Sequence, residues 1–144
     1  MTVRSILDSK GHQVLSVEPD AKLAAAVQVL GERKIGAVLV MSEGRVEGIL
    51  SERDIVREAV RNERFFDLAV SAIMTRNVIS GQSHDDVNAV ATTMTSKRFR
   101  HLPVLDGDKI LGVISLGDIV KAQRDEYLGA IDTLETQIIA ERAS

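Results

Sequence analysis

No cysteine occurs among the 144 residues, so disulfides, thiolate metal sites and cysteine nucleophiles are excluded together. Aromatic side chains are almost as scarce: Phe65, Phe66, Phe99 and Tyr127 are too few and too scattered for a base-stacking platform. The three histidines, His12, His84 and His101, stand apart and lack metal-ligand spacing. A net charge of −3 offers no basic field for nucleic acid. No apolar run approaches the ~20 residues of a membrane span; the longest, IGAVLVM, stops at seven. The opening MTVRSILDSKG has no secretory apolar core, so a cytoplasmic location is expected.

What is present is ordinary in bulk and unusual in order. A hydrophobic content of 44% with 27% charged residues is that of a soluble globular chain. A chain of this length buries roughly 70% of its unfolded surface without staples. The stretch GILSERDIV, from Gly48 to Val56, returns 64 positions later as GVISLGDIV. At that offset residues 14–57 align with 78–121 without a gap, with identities at Val14, Ser16, Ala25, Val40, Gly48, Ser51, Asp54, Ile55 and Val56. The apolar pattern agrees throughout, which indicates an internal duplication.

Each half reads as β-α-β-β-α. QVLSV (13–17) and NVISG (77–81) are short β-branched runs. Pro19 and Asp20 signal a helix start, followed by Leu23, Ala26, Val27 and Leu30 on one face. Asp85 and Asp86 stand where a helix dipole favours negative charge in the partner segment. AVLVM and LPVLD then lead through the turns SEG and DGD into RVEGIL and KILGVI. Helices are expected from Ser51 to about Arg61 and from Ser115 to about Arg124. Between the halves a loop and short helix are expected, with Phe65 and Phe66 packed beneath. VSAIMT (70–75) echoes VRSILD (3–8) at an offset of 67, so the first half carries three extra residues around Gly11. The last segment spaces Tyr127, Ile131, Leu134 and Ile138 by 4, 3 and 4, an a/d seam that either packs on its own module or pairs with a second copy.

The Ser-x-x-Asp pairs allow two readings. Ser51 with Asp54, and Ser115 with Asp118, fit a capping box that satisfies free backbone N–H groups at a helix start. The same strand-to-helix junction points unpaired N–H groups outward, a seat for phosphate. An ionised Asp there can accept two hydrogen bonds from a ribose diol. Gly48 and Gly112, lacking a Cβ, allow a ligand or a neighbouring strand to approach closely.

The tandem β-α-β-β-α unit, the VxxIMT entry, RFRHLPVLDGDKILGVIS and the paired GxxSxxDIV resemble the cystathionine β-synthase (CBS) domain family, as a stand-alone two-repeat Bateman module. The resemblance covers residues 3 to about 122 and implies an α/β (α+β) fold of two repeats packed about a pseudo-twofold axis. It divides the chain into 1–62, 63–124 and a C-terminal helix over 125–144. It implies a regulatory module that senses adenosine-containing ligands (AMP, ADP, ATP, NAD(H) or S-adenosylmethionine) in clefts between the repeats. These are bound ligands, not catalytic cofactors.

By position, the resemblance implies two pockets. In one, Asp54 holds the ribose and Ser51 the phosphate, with the base against Val78, Ile79 and Phe99. In the other, Asp118 and Ser115 do this work, while His12, Gln13, Val14, Ile35, Gly36 and Ala37 line the base. Arg53 and the KRFRH run from Lys97 to His101 are the nearest cations to answer phosphate: Arg100 is expected to do so, His101 fits either role, and Lys97 and Arg98 also fit as helix C-terminal charges, the reading preferred for Lys97. At the positions of Arg100 and His101 the first repeat has Gly36 and Ala37, so the pockets are expected to differ. Leu39 departs from the family's Pro, and Leu116 and Gly117 stand where the first repeat has Glu52 and Arg53.

A homodimer and an unidentified regulated protein are the expected partners, with no nucleic acid and no membrane. The alternative is a dimeric interaction module in which the junctions only cap helices. Enzyme activity is not expected. The resemblance extends to repeats inside IMP dehydrogenases, but that reaction uses a cysteine and a barrel-sized domain. A Ser115, His101 and Asp118 triad is redundant once Ser and Asp cap or hold ribose.

Overall fold

The computed structural model describes residues 1–143. The first half contains α1 (Val3–Lys10), β1 (Ser16–Val17), α2 (Leu23–Arg33), β2 (Ala37–Ser42), β3 (Arg45–Ser51) and α3 (Glu52–Arg61). Two single 3-10 turns, Phe65–Asp67 and Val70–Ala72, lead into α4 (Val87–Lys97), β4 (His101–Asp106), β5 (Lys109–Ser115) and α5 (Leu116–Ala143). The result is the expected mixed fold of two repeats about a pseudo-twofold axis.

The duplication extends to irregular detail. β2 pairs antiparallel with β3 from Ala37↔Ser51 to Ser42↔Arg45, and the register slips after Val40. β4 pairs with β5 from His101↔Ser115 to Asp106↔Lys109, and the register slips after Val104, the residue 64 positions on. Both helices that precede these hairpins end on a left-handed residue, Lys34 (φ 54°) and Arg98 (φ 59°).

The halves differ at their first strands. β1 runs parallel to β2, and Leu39 N–H donates to the Leu15 carbonyl. In the second half the expected strand over 77–81 contracts to a single parallel bridge, Gly81↔Val104. Pro103 occupies the place of Leu39 and has no N–H to give, so the extra ladder bond is lost.

Each half borrows its entry segment from the other. Val3, Ile6 and Leu7 of α1 are buried with Val87, Val90 and Met94 of α4, Leu102, Val104, Ile114 and Ile119. Val70 and Met74 are buried with Leu23, Ala26, Leu30, Val38, Val40 and Leu50. The backbone repeats the exchange: Leu23 N–H donates to the Leu68 carbonyl, and Val87 N–H to the Met1 carbonyl. The borrowed Leu68 carbonyl lets α2 start at Leu23, later than Pro19 and Asp20 suggested, without a side-chain cap. Asp86 caps α4 by accepting from Ala89 N–H at 3.1 Å.

The exchange also explains the paired glycines. A Cβ on Gly48 would lie 2.7 Å from the Thr75 carbonyl oxygen and 2.8 Å from Met74 Sδ. A Cβ on Gly112 would lie 2.6 Å from Leu7 Cδ2. The crossing segment of the opposite half is what approaches them.

Two expectations about the edges change. Phe65 packs on the first core, but Phe66 is 45% exposed, its ring 4.1 Å from that of Phe65. The helix expected from Ser115 to Arg124 and the C-terminal helix are one continuous element, because no proline or capping signal interrupts 116–143. Ser144 lies outside the described residues.

Candidate functional site

Both Gly-x-x-Ser-x-x-Asp runs end a strand and start a helix, and both form the reciprocal cap. Ser51 N–H donates to Asp54 Oδ2 at 3.0 Å and Asp54 N–H to Ser51 Oγ at 3.3 Å. Ser115 N–H donates to Asp118 Oδ2 at 2.8 Å and Asp118 N–H to Ser115 Oγ at 3.0 Å. The caps occupy Oδ2 and fix each carboxylate's orientation.

The free oxygens then diverge. Asp54 is 9% exposed, and its Oδ1 accepts from Thr75 Oγ1 at 3.2 Å. Asp118 Oδ1 has no hydrogen bond among the described residues, while Lys10 Nζ donates to Oδ2 at 2.6 Å and to the Val113 carbonyl at 2.8 Å. Burial pushes the Asp118 carboxyl up, but the bonds from Lys10 and Ser115 outweigh it and hold the group below its ordinary value. It is therefore an ionised acceptor at neutral pH.

Each carboxylate opens on a cleft walled by the opposite half. The Asp118 cleft, about 430 Å³, is lined by Gln13, Ile35, Gly36, Ala37, His101 and Ser115. It also contains Lys10, Gly11, Leu15, Lys34, Val38, Leu39, Ile49 and Val113. The Asp54 cleft, about 260 Å³, is lined by Ser51, Arg53, Phe99, Arg100 and His101 together with Gly36, Ile49, Glu52, Arg57, Thr75 and Arg98.

Four sequence candidates stand apart from both clefts. Val78 lines neither, and Ile79 faces a separate hollow of about 210 Å³ that it shares with Phe99. His12 places Nδ1 3.0 Å from the Leu111 carbonyl oxygen and Nε2 3.4 Å from Asp8 Oδ1. Val14 is half-buried outside the Asp118 cleft.

His101 and Gly36 line both clefts, and a Cβ on Gly36 would sit 3.2 Å from His101 Cε1. Burial lowers the His101 pKa, the Lys10 ammonium adds to that, and Glu52 and Asp118 only partly oppose it. At neutral pH the shared wall is an uncharged imidazole.

Sequence reasoning missed Lys10, Lys34, Arg57 and Thr75, and had Arg98 only as a member of the KRFRH run. Lys10 lies in the three-residue excess near Gly11, the one place where the halves fall out of step, and that asymmetry was the available signal. Thr75 closes the VSAIMT echo, and Lys34 and Arg98 are partners at the offset of 64.

Comparison with known proteins agrees with this architecture. The family model for the CBS domain matches residues 3–61 and again 70–125. The chain is similar to the CBS domain-containing protein YhcV of Bacillus subtilis, 27% identical over 119 residues, covering 83% of this chain and 85% of that protein. It is similar to the crystal structure of a CBS-domain containing protein from Agrobacterium tumefaciens, 38% identical with a TM-score of 0.83, covering 85% of this chain and 99% of that one. A third similar structure is the CBS domain pair of protein MJ0100 in complex with 5′-methylthioadenosine and S-adenosyl-L-methionine. It is 23% identical with a TM-score of 0.78, covering 88% and 98% of the respective chains, and at that identity it speaks for the fold alone. With the family's domain matched twice over most of its length, and the exchanged entry segments and doubled hairpins in place, the chain belongs to the CBS domain family.

Proposed function

We propose that this chain is a regulatory, non-catalytic module that binds adenosine-containing ligands (AMP, ADP, ATP or NAD(H)) in the two clefts between its repeats. The observation that carries this reading is Asp118, an ionised carboxylate held in place by the cap in the wall of a 430 Å³ cleft, whose Oδ1 has no hydrogen-bond partner among the described residues. A ribose diol supplies the two donors that such a carboxylate accepts. Leu15, Ile35, Ala37 and Leu39 offer an apolar slot for the base, and the Ser115 hydroxyl lies at the same junction. In the Asp54 cleft, Phe99 takes the base and Arg53, Arg100 and His101 face the phosphate. The MJ0100 pair, which shares this fold, is itself a complex with two adenosyl ligands.

The test is thermal unfolding with AMP, ATP and NADH. A ligand at 100 times its Kd stabilises the folded chain by ~2.7 kcal/mol. Asp118→Asn, which keeps the shape of the cap, removes the part of the shift owed to its cleft. No shift with any adenosyl ligand contradicts the reading.

A homodimer accompanies this function. Beyond Arg124, α5 carries Tyr127 (67% exposed), Leu134 (59%) and Ile138 (48%) on one seam. An isolated helix of that length is marginal in water, and a second copy of the same seam would cover it.

A further inference from the structure

The two clefts are equivalent by fold and unequal in charge: four arginines face Glu52 and Asp54 in one, and two lysines face Asp118 in the other. Arg53, Arg57, Arg98 and Arg100 line the Asp54 cleft; their partners at the offset of 64 are Gly117, Lys121, Lys34 and Gly36. Of those four only Lys34 and Gly36 line the Asp118 cleft, and Lys121 lines a different hollow, between α1 and α5. The other cation of the Asp118 cleft, Lys10, is already bound to Asp118.

The arginines are not consumed by the fold. Arg53 Nη1 donates to the Arg98 carbonyl at 2.8 Å. The guanidinium groups of Arg57, Arg98 and Arg100 have no hydrogen bond or ion pair among the described residues. Arg98 also holds a left-handed backbone conformation, where glycine is the usual residue. Like charges gathered in one crevice repel, and guanidinium forks match phosphate oxygens two at a time. The Asp118 cleft is also the larger, about 430 Å³ against about 260 Å³, with Leu15, Ile35, Val38 and Leu39 in its wall.

We infer that the clefts take different ligands: the Asp54 cleft a nucleoside polyphosphate with two or more phosphates, the Asp118 cleft an adenosyl ligand without a polyphosphate tail. This rests on the adenosyl-binding reading above and adds a division of labour to it. Arg57 and Arg98 set the preference for the phosphate chain.

The experiment is calorimetric titration of the full chain with ATP, with 5′-methylthioadenosine and with inorganic tripolyphosphate, singly and in competition. ATP and methylthioadenosine are expected to bind together, and tripolyphosphate to displace ATP alone. Arg57→Ala with Arg98→Ala, both exposed positions, is expected to weaken ATP at least tenfold and methylthioadenosine less than twofold, at an unchanged melting temperature. If the two adenosyl ligands compete for every site, or the double variant weakens both equally, the division is wrong and adenosyl binding stands. If neither binds, even where tripolyphosphate does, both readings fall.

Discussion

Lys10 Nζ lies 2.6 Å from Asp118 Oδ2, tying the last turn of α1 to the first turn of α5. The same ammonium donates to the Val113 carbonyl, which leaves one of its three N–H groups for the cleft it lines. Because the pair's side chains are 41% and 25% exposed, its net effect on stability is small, about 0.2–1 kcal/mol. Lys10→Met is therefore expected to unfold at nearly the wild-type denaturant midpoint. The Asp118 carboxyl rises toward its ordinary value in this variant, as read by carboxyl-carbon NMR titration.

The paired glycines separate a backbone obstacle from a side-chain one. A new methyl at position 48 meets the Thr75 carbonyl, which is fixed by its own bridge to Ile49. At position 112 it meets the tip of Leu7, which can change rotamer. Gly48→Ala is expected to cost about 1–3 kcal/mol and Gly112→Ala about 0.5–1.5 kcal/mol, measured by urea unfolding.

Acid should weaken the fold from near neutrality. Burial and the Lys10 ammonium lower the His101 pKa, so the folded chain prefers the neutral imidazole. That preference is costless above the unfolded value of about 6.5 and removes stability as pH falls from there through the folded value. Asp118, also lowered in the folded state, acts with the same sign below about 3.9. His101→Gln is expected to flatten the first decline and leave the second, in unfolding midpoints followed from pH 7.5 to 3.

The distal part of α5 is expected to be helical only when partnered. Leu134→Glu with Ile138→Glu places charges on the exposed seam, far from the two cores. Light scattering should report a monomer, with less far-UV helical signal and the melting of the repeats unchanged.

How far the chain could be read without coordinates depended on where the information sits. The hairpins, their turns and both caps are local patterns, and the repetition at 64 positions reinforced each of them. The first strand of the second half was overestimated, since NVISG has strand composition but its partner strand offers Pro103 in place of an N–H donor. The same run placed Val78 and Ile79 by analogy, and the shortened pairing leaves them outside the Asp54 cleft. Lys10 was invisible because its acceptor lies 108 residues away and is met only through the exchange of α1 into the second core. Arg57 looked like any charged residue on an amphipathic helix; only the folded cleft brings it to Arg98 and Arg100.

The most direct test of the account is amide chemical-shift mapping of the full chain titrated with AMP. It predicts that the largest changes gather on Gly36, His101, Ser115 and Asp118, the seam where one repeat's carboxylate faces the other repeat's wall. Changes confined to the distal half of α5, or none at millimolar AMP, would contradict it.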